Sequence, residues 1–246
     1  MNIDSFSSSQ EFFLHFGIWK NHSKTNHFSL ILRTKNLVKF GTQQPQGHEN
    51  LLGCCIDTTL KWNSQVTTLI PKLVKRLNSL MSLQKVCTFE MRKKLTEGLF
   101  NSVLIYCLPL YGGMNKQLCN QIQTVQNRAA RFVCDAPPRS NRLEMFTKIG
   151  WLTVHQLIRY HTLISVYKIR HAKQPEYLSS ILSKDSRNQR IIIPNYNLTI
   201  FHDSFCSRGA NHWNQLPLQL RNASELGNFK KGLKKWILDN VEQFEV

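Results

Sequence analysis

The residues of this chain best suited to chemistry are cations, and their spacing points to phosphate contacts. Lys72, Lys75 and Arg76 are three and four residues apart, the separation that puts side chains on one face of a helix. Arg128 and Arg131 repeat the three-residue step further on, in company with Gln121 and Thr124. Such a row can follow a phosphate backbone, fixing its position while reading little of its sequence. These five cations are the candidate nucleic-acid-binding set. For any one of them an ordinary solvated helix face is the competing reading; the surface as a whole favours a polyanion.

Groups that would break bonds or hold a metal are scattered. The aspartates stand singly at positions 4, 57, 135, 185, 203 and 239, with no Asp-Asp pair, whereas Mg²⁺ needs clustered hard oxygen ligands. His155 and His161 are six residues apart, out of register for an i, i+4 zinc pair. They read as core or surface histidines. His202 and Cys206 have the spacing of a metal pair, but no second pair of knuckle or finger form accompanies them. P-loop, dinucleotide and nucleophile-elbow motifs are absent from the sequence. No catalytic residue, metal site, cofactor or small-molecule substrate is expected.

The net charge is +17 over 246 residues. A chain this basic gains from polyanions through attraction and counterion release, which favours DNA, RNA or an anionic membrane surface. Lys61, Lys72, Lys75, Arg76, Arg92, Lys93, Lys94, Arg128, Arg131, Arg159, Lys168, Arg170 and Arg190 alternate with apolar positions, as on a folded surface rather than in a basic tail. With 41% hydrophobic residues, the length supports one large domain or two modest ones. The seven cysteines include no C-x-x-C pair and sit partly in apolar runs such as Ile105-Tyr106-Cys107-Leu108, as buried thiols of a reducing compartment would. Asp4, with no basic residue before the apolar stretch Phe12 to Trp19, argues against a secretory signal. The longest apolar run, Val103 to Leu110, is too short for a bilayer. A soluble intracellular protein, nuclear or cytoplasmic, is expected.

Residues 1 to 50, rich in Ser, Asn, Gln and His, predict at most strands at 28–33 and 37–40 and a loop from Gly41 to Gly47. From Leu51 the pattern turns helical. Val66, Leu69, Leu73, Leu77 and Leu80 have helical spacing, with Pro71 setting the expected start near Ile70. Further helices are predicted over 89–107, 115–134, 153–171, near Pro175 to Leu182, 205–215 and 225–240. The helix over 115–134 carries Leu118, Ile122, Val125, Ala129 and Phe132 as its stripe and is stopped by Pro137-Pro138. Residues 185–203, with Ile191-Ile192-Ile193-Pro194 and Tyr196 to Phe201, read as extended. Trp62, Trp151, Trp213 and Trp236 could stack on bases, but their apolar neighbours favour core anchoring.

Several strings stand in order over roughly residues 51–236. They begin with Leu52-Gly53-Cys54-Cys55-Ile56-Asp57 and Leu60-Lys61-Trp62, followed by Leu104-Ile105-Tyr106-Cys107-Leu108-Pro109-Leu110-Tyr111-Gly112. Val125-Gln126-Asn127-Arg128-Ala129-Ala130-Arg131 comes next, then Gly150-Trp151-Leu152 with Arg159 and Tyr167-Lys168. Phe205-Cys206-Ser207-Arg208-Gly209-Ala210, Trp213-Asn214-Gln215-Leu216-Pro217 and Leu220-Arg221 close the series. Together they resemble the C-terminal region of non-LTR (LINE-type) retrotransposon reverse transcriptases, from the palm–thumb junction through the thumb and post-thumb. Lys39-Phe40-Gly41-Thr42 is at best similar to the family's last palm strand.

The resemblance implies a mainly α chain: a degenerate, partly disordered α/β palm remnant over 1–50, the junction and helical thumb over 51–136, and a helical post-thumb domain over 137–246. It implies a thumb that grips a template–primer duplex, with RNA–DNA hybrid, RNA or DNA as partner. It places the fingers and most of the palm before Met1. Such polymerases hold two metal ions on carboxylates that usually include an Asp-Asp pair. Asp57 belongs to the junction motif and is not the family's metal ligand, so binding without polymerisation is expected. In the last helix Lys230, Lys231, Lys234 and Lys235 flank Phe229, Leu233, Trp236 and Ile237. That pattern also suits an anionic membrane or a partner groove, while the family context favours core packing with a basic outer face. Two further readings stand beside this one: a helical protein-interaction scaffold, and an expressed transposon relic with no selected role.

Overall fold

The computed structural model describes residues 12–14, 30–33, 37–40, 48–57, 59–182, 189–192 and 199–240. The predicted loop from Gly41 to Gly47 lies outside them, as do residues 185–188 and 193–198 of the stretch read as extended. The chain divides into two compact units, Met1–Gln65 and Val66–Val246. Its described residues are mainly helical.

In the first unit, β1 (Phe12–Leu14), β2 (Leu30–Arg33) and β3 (Leu37–Phe40) form an antiparallel sheet in that order, with Phe12 opposite Leu32 and Leu30 opposite Phe40. The strand predicted at 37–40 is present, and that predicted at 28–33 is present over Leu30–Arg33, residues 28 and 29 lying outside the described residues. The apolar run from Leu51, expected to lead into helix, instead closes a hairpin between β4 (His48–Leu51) and β5 (Cys54–Asp57). Its two-residue turn, Leu52-Gly53, has positive φ at both positions, 49° and 81°, the type I′ geometry that matches strand twist. After the hairpin Asp57 organises the turn, its Oδ1 accepting from Lys61 N at 2.9 Å and Thr59 Oγ1 at 3.1 Å.

Helix α1 spans Asn63–Met81 with Pro71 inside, so the start expected near Ile70 is corrected by two turns. Proline denies the Thr67 carbonyl its i+4 donor, but Thr67 and Pro71 are exposed, where water can take that bond. Meanwhile Val66, Leu69, Leu73, Leu77 and Leu80 are buried. The predicted 89–107 helix is segmented: α2 (Phe89–Thr96) passes through a π-helical turn, Glu97–Asn101, into α3 (Ser102–Ile105). A left-handed Cys107 (φ 55°) then starts the one-turn α4 (Leu108–Tyr111), where Pro109 sits in the first turn and costs no bond.

Helix α5 (Lys116–Cys134) begins where Asn115 accepts from Leu118 N at 2.9 Å, and its five predicted stripe residues are all buried. The next helix, α6 (Arg142–Ile149), was not anticipated, although its boundary residues are legible: Asn141 accepts from Leu143 N, and Gly150 ends it at φ +73°. Helix α7 (Val154–Ala172) starts on a reciprocal cap between Thr153 and Gln156. Then follow α8 (Glu176–Leu182), α9 (Thr199–His202), α10 (Phe205–Asn214), α11 (Leu218–Arg221) and α12 (Leu226–Asp239). A helical turn at α9 corrects the extended reading of its residues. At Ile191 the extended reading gains a physical partner: the Asn214 side-chain amide accepts from Ile191 N at 2.8 Å and donates to Ile191 O at 2.9 Å, as a neighbouring strand would.

Helix α7 is buried on several sides and packs against α4, α5, α8, α10 and α12. Leu163, Val166, Tyr167, Leu182, Trp213, Phe229, Leu233 and Ile237 meet in one core. Trp62, Trp151 and Trp213 are buried and Trp236 is half-buried against this core, in line with core anchoring. None of the described helices is long and apolar enough to cross a membrane.

Candidate nucleic-acid interface

The buried stripe of α1 sends its other side to solvent, and Lys72, Lys75 and Arg76 all lie there, exposed. Arg76 Nη1 donates to the Leu99 carbonyl at 3.2 Å, which uses one of the five guanidinium N–H groups. On α5, Gln121, Thr124, Arg128 and Arg131 are spaced by three and four residues along one stripe; the first two are exposed and the arginines half-buried. The fold thus brings together Lys72, Lys75 and Arg76 on one helix and Arg128 with Arg131 on another.

Neither helix carries a carboxylate. Across nineteen residues each, α1, α5 and α7 contain no Asp or Glu, and α10 has none either. On α1, Lys72, Lys75 and Arg76 have no carboxylate three or four residues away to neutralise them, whereas on α5 Arg131 has Asp135 four residues on, at the C-cap.

Cations also divide by type. Each described lysine from residue 48 onward is exposed or half-buried, whereas Arg92, Arg159 and Arg221 are buried. This corrects the reading of Arg92 and Arg159 as surface charge. Arg92 donates to the carbonyls of Val133, Gln84 and Cys87. Arg159 donates to Gln215 and lies 5.0 Å from the Trp236 ring centroid. Arg170, half-buried, donates to the Leu182 carbonyl and stands over Trp213. Guanidinium suits this work because its planar fork reaches several acceptors and is weakly hydrated.

Within the second unit, strings that carried the family resemblance are hydrogen-bonded to one another. Gln126 donates to the Leu152 carbonyl at 3.0 Å, and Val154 N donates to Gln123 Oε1 at 2.8 Å, tying α5 to the Gly150-Trp151-Leu152 segment. Trp151 Nε1 donates to Glu97 at 2.9 Å. Arg208 Nη2 donates to the Pro109 carbonyl at 2.8 Å and its Nε to the Asp203 carbonyl at 3.0 Å, beside Gly112 and Gly113. A Cβ on Gly113 would stand 2.2 Å from the Asp203 carbonyl oxygen, so only glycine fits. These polar motif residues hold the fold together. Their signal in the sequence was polarity inside apolar runs, which does not name a partner.

Histidines and cysteines offer little chemistry. His155 and His161 are half-buried on α7, and burial, then Lys230 and Lys168, lowers the His161 pKa. Burial pushes the Cys119 thiol up to about 12 and Cys206 up to about 11, far from thiolate reactivity. His202 ends α9 and Cys206 is the second residue of α10; among the described residues no three metal-ligating side chains converge. Compared with protein-family models, curated proteins and solved structures, the chain matches none.

Proposed function

We propose that the chain is a non-catalytic nucleic-acid-binding module of the thumb and post-thumb type of a non-LTR retrotransposon reverse transcriptase, gripping a template–primer duplex by phosphate contacts. One observation carries the reading: α1 presents Lys72, Lys75 and Arg76 exposed on a helix with no carboxylate, above a fully buried apolar stripe. Arg128 and Arg131 extend the contact from α5, which also lacks carboxylates. The aspartates stand singly along the chain, and Asp57 spends one carboxylate oxygen on its own turn, so the module binds without polymerising.

The test is a salt titration of binding to an RNA–DNA hybrid. With about five phosphates neutralised, log affinity falls against log salt with a slope near about −4 to −5. Reversing Lys72, Lys75 and Arg76 to Glu weakens binding and flattens that slope. No binding at low salt, or an affinity indifferent to salt, would remove the reading.

A second reading, a protein-interaction scaffold, has one feature in its favour. At the α1–α2 corner Met81, Leu83, Val86 and Met91 are exposed, Val86 at 78%. It requires partner capture that persists at high salt and that a Val86→Ser substitution abolishes.

A further inference from the structure

The last helix carries a second cationic surface. Lys231, Lys234 and Lys235 of α12 are exposed and Lys230 is half-buried, while Phe229, Leu233 and Ile237 on its other side are fully buried in the core around α7. Exposed Lys168 lies on α7, the helix against which α12 packs. Among the described residues counter-charge is sparse, although Asp239 stands four residues after Lys235. Helix α7 has no carboxylate, α12 has only Asp239 in its last turn, and Glu225 ahead of α12 accepts from the Asn228 amide at 2.9 Å.

A lysine-rich amphipathic helix has two polyanionic occupants to choose between. On a membrane it lowers its apolar stripe into the acyl boundary. Here that stripe is already consumed by the protein core, and the outward face offers ammonium groups with Leu238 as its exposed large apolar residue. A phosphate backbone asks for nothing more than such a face.

We infer that Lys168, Lys230, Lys231, Lys234 and Lys235 form a second phosphate-backbone contact, held by α7 and α12 and distinct from the α1 and α5 cations. The inference rests on the nucleic-acid reading above and extends it to the C-terminal helix.

The experiment uses the full chain, an RNA–DNA hybrid over a salt series, and phosphatidylserine vesicles. Three proteins are compared with wild type: Lys231→Gln/Lys234→Gln/Lys235→Gln, the corresponding Lys→Arg triple, and Lys72→Gln/Lys75→Gln/Arg76→Gln. The α12 Gln triple is expected to flatten the salt slope by about 2 to 3 and to lose roughly one to two orders of magnitude in hybrid affinity at about 0.1 M salt. The Arg triple, which keeps the charge, retains both. If the Gln triple binds the hybrid as wild type does while the α1 variant is weakened, the inference fails and the α1 reading stands. If wild type does not bind the hybrid at low salt, both fall. Loss of vesicle binding with hybrid binding intact assigns the face to lipid and overturns the inference.

Discussion

Arg92 Nε donates to the Val133 carbonyl at 3.2 Å, placing a buried guanidinium at the C-terminal turn of α5. That turn leaves carbonyls without intrahelical donors and carries the negative end of the helix dipole, so a cation there answers two demands at once. The same side chain gathers the Gln84 and Cys87 carbonyls at 3.2 and 2.9 Å, which fixes the corner between α1 and α2 against α5.

Replacing Arg92 by Met keeps most of its volume and orphans three carbonyls. A stability loss on the order of 2–4 kcal/mol is expected in urea unfolding. Lys, with a single ammonium in place of a fork, recovers only part of it. Wild-type stability in Arg92→Met would show that these bonds contribute nothing net.

Three glycines separate steric need from mere presence. A Cβ on Gly113 meets the Asp203 carbonyl oxygen at 2.2 Å and one on Gly209 meets Val166 Cγ2 at 2.8 Å, whereas Gly98 has nothing within 4 Å. Gly113→Ala should destabilise most, since backbone cannot swing aside, by about 3 kcal/mol; Gly209→Ala should cost about 1–2 kcal/mol. Gly98→Ala should gain up to about 1 kcal/mol by restricting the unfolded chain. Thermal unfolding of the three variants checks the order, and a Gly113→Ala protein as stable as wild type contradicts it.

Stability should depend on pH through His212. Burial, then the Arg159 and Arg208 guanidinium groups, pushes its imidazole down from 6.5 to about 3. In the unfolded chain it accepts a proton near its ordinary value, so the folded state has its full stability above about pH 6.5 and loses it as pH falls toward 3. His161, lowered by burial and then Lys230 and Lys168, acts in the same direction. The Tm should drop between about pH 7 and about pH 5, and His212→Leu should flatten that drop. An equally steep drop in His212→Leu would assign it to other groups.

Arg128 and Arg131 are half-buried on α5. Each Arg→Gln change should reduce the salt slope of hybrid binding by about one, uniformly across sequences, with Tm little changed. A slope indifferent to both changes would confine the contact to α1.

What could be read ahead of the fold was local. Asn115 and Thr153 announce the starts of α5 and α7 because a cap acts on an amide two or three residues away. Helical spacing placed the buried stripes of α1 and α5 and the cations opposite α1's stripe for the same reason, since periodicity is a property of neighbouring residues. Pro71 misled the reading of α1 because tolerance of a missing N–H depends on solvent at Thr67, a feature of packing.

Residue type and spacing by themselves established a basic, amphipathic, helical chain with rows of cations at helical steps. Only the tertiary structure decided which arginines go to the interior. Arg92, Arg159 and Arg208 find acceptors 41, 56 and 99 positions away in the chain. Charge is carried by the residue, but burial is conferred by segments distant in sequence, so a guanidinium bound for the interior and one left exposed look alike until the helices have packed.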